Sequence, residues 1–393
     1  MKVSPTTVPF IYYHSVAPKK NPDWVRNYLT LELKYFQDHL KLLTGLKYKT
    51  HFLDTYYTPP GSYSRKDIFI TFDDGFLDNW IYVFPMLKKY QVKATIFVNP
   101  EFVDTRNPVR KNLEDYWHNK AGLAEINRWG YLSWEEMRIM EASGWVDIQS
   151  HTLTHTKYFV NDRITGFHRP GADCLHVIGN LYPGKKPYYI EDPSFETAIP
   201  YGYPLFEEAS AVVARKISLN EDFTQEVIAA LRDTDWQSPV DSRPEKLYWE
   251  IASIYNRYQT KNNLVIAKET EEQYRERVHG EIGRAKEIIE KELRKRVAFC
   301  CWPFGDSNDF SHQKALELGY LATTSGKQEC RHDHRHRIPP RTGLGVCKNN
   351  RFLSILKALY KIRSVQKRYP YYGVKRVYEY GTRTRKRTHS APK

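Results

Sequence analysis

DIFITFDDGF (Asp67–Phe76) is the stretch on which the fold turns. Its first six residues, Asp67–Phe72, form a short apolar run rich in Ile and Phe, which reads as a strand buried on both faces. A run of that kind belongs to a parallel sheet, and it ends in Asp73-Asp74-Gly75. Two adjacent carboxylates after a buried strand are costly unless something neutralises them. A divalent cation held by one of them would do so. Read alone, Asp-Asp-Gly is equally an Asp-Gly turn with a helix cap.

Working outward, Val8–Tyr13 (VPFIYY) reads as a first strand ending at His14, and Leu31–Gly45 as an amphipathic helix. Helix Asn79–Tyr90 and strand Lys93–Val98 (KATIFV) follow. Helix Ser133–Gly144 has a Ser133/Glu136 capping box and leads to strand Trp145–Gln149. The rhythm resumes with a charged helix over Glu269–Arg296, strand Val297–Trp302 (VAFCCW), helix Ser311–Gly319 and a last strand Tyr320–Thr324. Strands alternating with helices predict a parallel α/β sheet or barrel. Residues 157–268 interrupt it, first rich in Pro, Gly and Tyr, then irregular to helical. We read them as an insertion over the barrel mouth, with Tyr188, Tyr189, Tyr201 and Tyr203 as specificity candidates.

The chain has 393 residues, 41% of them hydrophobic, with 29 Tyr and 9 Trp, so a sizeable core is expected. The net charge of +14 is uneven. Arg331–Lys393 carries 18 Lys and Arg against Asp333 and Glu379, a net +16, which leaves −2 for the rest. That argues against a nucleic-acid-binding body and for a basic appendage. Within it, Arg351–Arg368 places Phe352, Ile355, Leu356, Leu359 and Ile362 on one helical face. This is the pattern of a basic helix at an anionic membrane surface, or of one packed on the barrel. The five Cys show no CxxC spacing, and no apolar run approaches the ~20 residues of a membrane span. A cytoplasmic protein, membrane-associated at the inner face if that helix binds lipid, is the expectation.

Two further segments lie at predicted strand ends, where barrel active sites assemble. In Ser150-His151-Thr152-Leu153-Thr154-His155, two His at i and i+4 project to one side if the backbone takes a helical turn. Two imidazoles and a carboxylate form a common open metal site. In Trp302-Pro303-Phe304-Gly305-Asp306, a rigid turn exposes the Phe304 amide, a donor able to stabilise an oxyanion. Cys330-x-His332-x-His334-x-His336 has ligand residues at strand spacing, but Arg331, Arg335 and Arg337 would repel a cation, so it reads as a solvated loop.

TFDDG, then H-x3-H, then Pro-aromatic-Gly, in that order, resembles the polysaccharide deacetylase family (carbohydrate esterase family four, NodB-like). The resemblance runs from Phe10 to about Leu344. It implies a distorted (β/α)7 barrel over residues 1–345, including the insertion at the active-site face, with 346–393 as a basic helix and tail. It implies hydrolysis of N- or O-acetyl groups on sugars with a bound divalent metal. Asp74, His151 and His155 would then be the ligands and Asp73 the general base. Zinc is the first candidate, with nickel, cobalt, iron or manganese as alternatives.

Two departures matter. The family's general-acid histidine usually sits in a C-terminal Leu-x-His motif, which this chain lacks; His389 lies in the basic tail. Tyr12-Tyr13-His14-Ser15 instead resembles the N-terminal Tyr-His motif of a branch acting on poly-N-acetylglucosamine, which makes His14 the acid. The third motif commonly carries an Arg two residues before its Pro, where this chain has Cys301. Arg341, in Ile338-Pro339-Pro340-Arg341, could supply that charge, or be a surface residue of a basic loop. The expected activity is removal of N-acetyl groups from an amino sugar in a polysaccharide, oligosaccharide or lipid-linked glycan. An O-acetyl esterase, an inactive sugar-binding module and a basic protein using its tail on nucleic acid are the rivals.

Overall fold

The computed structural model describes residues 8–57, 63–237, 245–325, 335–347 and 350–374. His389, and Cys330, His332 and His334 of the histidine-rich stretch, lie outside the described residues.

The central sheet is built from β1 (Phe10–Tyr13), β2 (Asp67–Phe72), β3 (Ala94–Val98), β4 (Val146–Ser150), β5 (Phe299–Cys300), β6 (Ala322–Thr324), β7 (Arg337–Ile338) and β8 (Arg341–Thr342). The hydrogen-bonded path is β7-β6-β5-β4-β3-β2-β1-β8, parallel throughout, and Lys49–His51 pairs beside the start of β2. The two ends of this path are neighbours in sequence. Arg337–Ile338 pairs with β6, Arg341–Thr342 pairs with β1, and only Pro339-Pro340 lies between them. Proline cannot donate to a ladder, so one bent stretch serves two neighbours with its two halves. Counting it once, the path is a ring of seven parallel strands, the distorted (β/α)7 arrangement expected.

Period-2 alternation sorts the strand side chains. Phe10, Phe69, Phe97, Phe299, Cys301 and Ile338 fill the barrel interior. Their neighbours Ile11, Ile68, Ile70, Phe72, Ile96, Val98 and Cys300 face the surrounding helices. Inside the barrel Phe10 stacks on Phe69 at 4.5 Å. Register pairs Phe10 with Phe69 and Tyr12 with Thr71, so the same inward rows, continued two residues past the pairing, arrive at His14 and Asp73.

The outer layer is α1 (Leu33–Gly45), α2 (Phe84–Tyr90), α3 (Trp134–Ala142), α4 (Glu271–Leu293), α5 (Asp309–Glu317) and α6 (Arg351–Val365). Ser133 caps α3 with a reciprocal bond from Glu136. The expected start of α1 at Leu31 is displaced because Thr30–Glu32 pairs as a strand with Ser15–Ala17. Asn79–Val83 is a turn of π-helix leading into α2 rather than α-helix. Tyr320–Thr324 is not the last strand: β7 and β8 follow it, concealed in sequence by the two prolines. Only Phe299–Cys300 of the expected Val297–Trp302 strand pairs as such.

The insertion is more regular than expected. Lys157–Phe167 pairs antiparallel with Pro204–Ser210, through irregularities that blur the alternation. Phe206, Phe223, Val227, Ile254 and Leu264 form a small core under its second half. A separate cluster, with Trp24, Phe76, Phe102 and Tyr131 from the barrel side and Leu175, Ile178 and Phe195 from the insertion, joins the two at the barrel mouth.

Helix α6 was set apart in sequence as part of an extension. In the structure Ala358 and Ile362 are fully buried in the main core, and Arg351 forms two bonds to Asp38 of α1. We expect Ile362→Ala to cost about 2–5 kcal/mol in urea unfolding, as for other buried aliphatic truncations. A loss below about 0.5 kcal/mol, the range of surface substitutions, would mean that the helix is not docked in solution.

Candidate active site

At the C-terminal rim of β2, Asp74 has φ +75° and Gly75 φ +68°. A Cβ on Gly75 would sit 3.0 Å from the Val98 side chain, so both the backbone turn and the close approach call for glycine here. The turn leaves Asp73 in the inward row and swings Asp74 toward the end of β4. There the chain carrying the two histidines is not helical, contrary to expectation. Thr152 and His155 take left-handed backbone (φ +64° and +44°), and this irregular turn brings both rings to one side.

Asp74 Oδ1 lies 3.2 Å from Nε2 of His151 and 3.2 Å from Nε2 of His155. All three residues are at least largely buried, and Asp74 Oδ1 makes no well-angled hydrogen bond. His151 Nδ1 donates to the Cys301 carbonyl at 2.8 Å, which leaves Nε2 as the ring atom directed at Asp74. A buried carboxylate oxygen without a partner, converging with two imidazole nitrogens, fits a divalent cation in donor type and geometry. Without a cation, burial opposes the charged form of His151, but Cys301 and Asp74 outweigh it and hold its pKa well above the ordinary value. Burial lowers that of His155. Burial also works against ionised Asp74, yet the two rings hold its carboxyl well below the usual range. A metal would compete with the His151 proton for Nε2.

Asp73, Cys301 and His151 also approach one another. That trio is a poorer cradle, since Asp73 is already engaged. Arg341 Nη1 donates to its Oδ1 at 2.6 Å and Nη2 to its Oδ2 at 2.8 Å. Burial alone would raise the Asp73 pKa, and the guanidinium instead holds it below the ordinary range. Arg341 also donates to Thr71 Oγ1 at 3.0 Å and to Cys301 Sγ at 3.0 Å. It therefore lies in the barrel, not on the surface of a basic loop. His14 Nε2 is 3.9 Å from Asp73 Oδ2, with a quarter of its side chain open to the cavity. Phe304 has φ +61° and ψ +3°, and its ring lies 4.7 Å from that of His155. The structure thus brings His14, Asp73, Asp74, His151, His155, Phe304 and Arg341 around one cavity of about 540 Å³.

Several residues of this site carried no signal in the sequence reading. Asn99 Nδ2 donates to the carbonyls of His151 and Thr152, fixing the ligand turn. Glu281 of α4 accepts from both the amide and the hydroxyl of Thr154, at 2.8 and 2.9 Å. An acid next to Ile282 in the apolar stripe of that helix was the available clue. From the insertion, Asp173, His176 and Tyr189 line the cavity; Tyr188, Tyr201 and Tyr203 do not. Tyr188 instead bonds Thr105, and Tyr201 bonds Glu196. In the histidine-rich stretch, His336 Nδ1 donates to the Leu321 carbonyl at 3.0 Å.

A parallel barrel with Asp74, His151 and His155 converging beside a second, arginine-paired carboxylate at its rim has the layout of a site able to hold a divalent cation next to an ionised acid. Comparison with known proteins names the family. The polysaccharide deacetylase family model matches residues 61–170. YxkH of Bacillus subtilis (strain 168), which carries a provisional polysaccharide deacetylase name, is 30% identical over 234 residues, spanning 58% of this chain and 68% of YxkH. The chain belongs to the polysaccharide deacetylase family. The poly-beta-1,6-N-acetyl-D-glucosamine N-deacetylase of Staphylococcus aureus (strain MRSA252) is 24% identical over 220 residues, 55% of this chain and 66% of that protein. The chain thus spans about two thirds of these relatives. Among solved structures, a de-N-acetylase from Aggregatibacter actinomycetemcomitans aligns with a TM-score of 0.49 at 17% identity, covering 86% of this chain and 94% of its own. The BpsB deacetylase domain from Bordetella bronchiseptica gives 0.48 at 15%, covering 87% and 97%.

The first strand's His14 is held from below. Asn79 Nδ2 donates to the His14 carbonyl at 3.0 Å and to Asp78 Oδ1 at 2.8 Å, and Ser15 Oγ donates to Asp78 Oδ2. Burial pushes the Asp78 carboxyl up to about 7, against the lowering effect of these bonds. Its folded pKa exceeds its unfolded value near 3.8. Its contribution to stability is therefore complete below about pH 4 and is lost as pH rises through about 7. Asp78→Asn removes this titration. We expect the variant's unfolding free energy to gain on the wild type by up to about 1.4 kcal/mol per pH unit across that window. Parallel pH dependences would show that Asp78 is ionised in the folded protein.

Proposed function

We propose that the chain removes N-acetyl groups from an amino sugar in a polysaccharide, oligosaccharide or lipid-linked glycan. The carrying observation is the meeting of Asp74 Oδ1 with two imidazole Nε2 atoms at 3.2 Å, beside an ionised Asp73 that is not needed as a ligand. The printed activity of the staphylococcal relative, N-deacetylation, supports the amide over the ester. Asp74, His151 and His155 would hold one divalent cation. Zinc suits two imidazoles and a carboxylate, with nickel, cobalt, iron or manganese as alternatives. Such an ion, when bound, polarises the acetyl carbonyl and lowers the pKa of water from ~15.7 toward ~7.

The chain's own residues do the rest. Asp73, kept ionised by Arg341, accepts the proton of the attacking water. The Phe304 amide is the central amide of the tight turn that the Gly305 N–H closes onto the Trp302 carbonyl at 3.1 Å, and it donates to the developing oxyanion. His14, whose Nε2 lies 3.9 Å from Asp73 Oδ2 and which lines the cavity, delivers the proton that the leaving amine needs. Arg341 orients the base. An O-acetyl esterase would use the same base and amide but have little use for His14. An inactive sugar-binding module would have little use for Asp73.

We expect Asp74→Ala and His151→Ala to lose metal binding and turnover together, read by metal titration and by acetate release from N-acetylated glycans with metals restored singly. Unchanged turnover in fully metal-stripped protein would remove the cation from the reaction. His14→Ala should lose at least about tenfold more rate on an amide than on an activated acetyl ester, within the ~10²–10⁴ span of general acid catalysis. An equal loss on both substrates would take His14 out of the acid role.

A second reading concerns where the enzyme works. No described helix is long and apolar enough to cross a membrane. Helix α6, however, exposes Phe352 (69%), Leu353 (47%) and Leu356 (44%) on the face away from the core, among basic residues. We infer a peripheral contact with an anionic membrane surface, at the inner face of a reducing cytoplasm in keeping with the free Cys174, Cys300, Cys301 and Cys347. Phe352→Ser with Leu356→Ser should abolish flotation with vesicles containing about one third anionic lipid. Flotation equal to wild type, or none by the wild type, would end this reading.

A further inference from the structure

Phe304 is a bulky residue in left-handed backbone, at φ +61°. Such a residue persists only when its surroundings over-determine it. Its ring is held from three sides. The His155 ring lies at 4.7 Å, the His176 ring meets it edge-on at 5.3 Å and 88°, and Lys157 Nζ stands 4.7 Å from its centroid. His155 belongs to the barrel's own rim. Lys157 and His176 belong to the insertion, one at the start of its hairpin and the other on its helix Leu175–Leu181.

Both insertion residues are themselves anchored. Asn180 Nδ2 donates to the Lys157 carbonyl at 2.8 Å, and Thr156 Oγ1 donates to Asn180 Oδ1 at 2.7 Å, so the hairpin and the helix are tied where they meet the ring. His176 Nε2 accepts from Arg26 Nη2 at 2.9 Å. Arg26 is fixed in turn by two bonds to Asp173, at 2.7 and 3.0 Å. An arginine only donates, so the bond requires a His176 Nε2 lone pair; burial and the Arg26 charge keep the ring neutral. A neutral edge-on ring and an ammonium over the face are both favourable partners for a phenyl quadrupole.

We propose that the insertion is a working part of the oxyanion site. Lys157 and His176 are positioning residues that hold Phe304 in its left-handed backbone, so that its amide meets the oxygen of the acetyl group as charge develops. This rests on reading the site as an acetyl hydrolase. It sets the insertion apart from a cover that only selects the sugar. A clamp on the oxyanion donor affects the transition state more than the ground state. Its loss therefore falls on kcat, and equally on amide and ester substrates, since both pass through the same tetrahedral oxyanion.

The test compares Lys157→Met, Lys157→Arg, His176→Ala and the Lys157→Met/His176→Ala pair in the metal-loaded full chain, with folding checked by thermal melts. We expect the pair to lower kcat about 10–100-fold, below the ~10²–10³ of deleting an oxyanion donor outright, with KM within about twofold. Lys157→Arg, which keeps a cation over the ring, should recover most of the loss. A crystal structure of the pair should show Phe304 out of left-handed backbone. Unchanged kcat, a loss confined to KM, or a loss on the amide alone overturns the clamp. If the wild type releases acetate from no substrate with any metal, the function proposed above falls, and the crystal structure alone judges the clamp. Phe304 unmoved in the pair then overturns it, and Phe304 relaxed upholds it.

Discussion

The site depends on one buried charge, the carboxylate of Asp73, and on the guanidinium that makes it tolerable. An acid at the top of a phenylalanine-filled barrel would otherwise be driven to its neutral form. Arg341 prevents this with two parallel bonds, and it can do so only because the last strand bends at Pro339-Pro340 and reaches across to β1. Closing the barrel and ionising Asp73 are thus one structural event. Breaking a buried pair of this kind costs about 3–5 kcal/mol, because it leaves the other charge without a partner. The barrel's own stability therefore resists loss of the Asp73 counter-ion. Cys301 fits this arrangement. Its thiol faces the guanidinium at 3.0 Å, where a second cation would repel Arg341.

Around that charge, four of the eleven non-glycine residues with positive φ among the described residues meet. Asp74, Thr152, His155 and Phe304 are all non-glycine residues with positive φ, and all lie in the loops that face the cavity. For β-branched Thr152 and bulky Phe304 this conformation is a true outlier. Each is held from outside its own loop: Thr152 by the Asn99 amide on its carbonyl, and the next turn by Glu281 on Thr154. The turn carrying the two histidines is thus held by a neighbouring rim loop and an outer helix. Such outer contacts are what fix the orientation of imidazoles that converge on one point.

What the sequence revealed follows from periodicity. The buried strand DIFITF, the alternation carrying Phe10 to His14 and Phe69 to Asp73, and the three strand-end motifs were readable because period 2 and strand ends leave marks on local composition. Helix α3 was readable through its Ser133 cap. The seventh strand was not, because two prolines interrupt it and each half is only two residues long. Nor was the insertion's hairpin, whose register shifts destroy the alternation. The helical turn inferred for the two histidines was the wrong local geometry for residues that do converge. Spacing of four is compatible with more than one turn, and left-handed φ has no reliable signature at Thr or His. Arg26, His176 and Asn99 were invisible for a different reason: their roles come from contacts across 52 to 150 positions of sequence.

The placement of His14 is the point at which strand geometry decides chemistry. His14 at the end of the first strand follows the same inward alternation that produces Asp73 on the second, so the imidazole and the carboxylate face one cavity 3.9 Å apart. Arg341 engages both oxygens of that carboxylate, and His14 keeps about 24% of its side chain open toward the cavity. The same guanidinium thus holds Asp73 ionised beside an imidazole that faces the cavity. Both side chains owe their place to the strand that closes the barrel, since β8 pairs with β1, which leads to His14, and brings Arg341 onto Asp73.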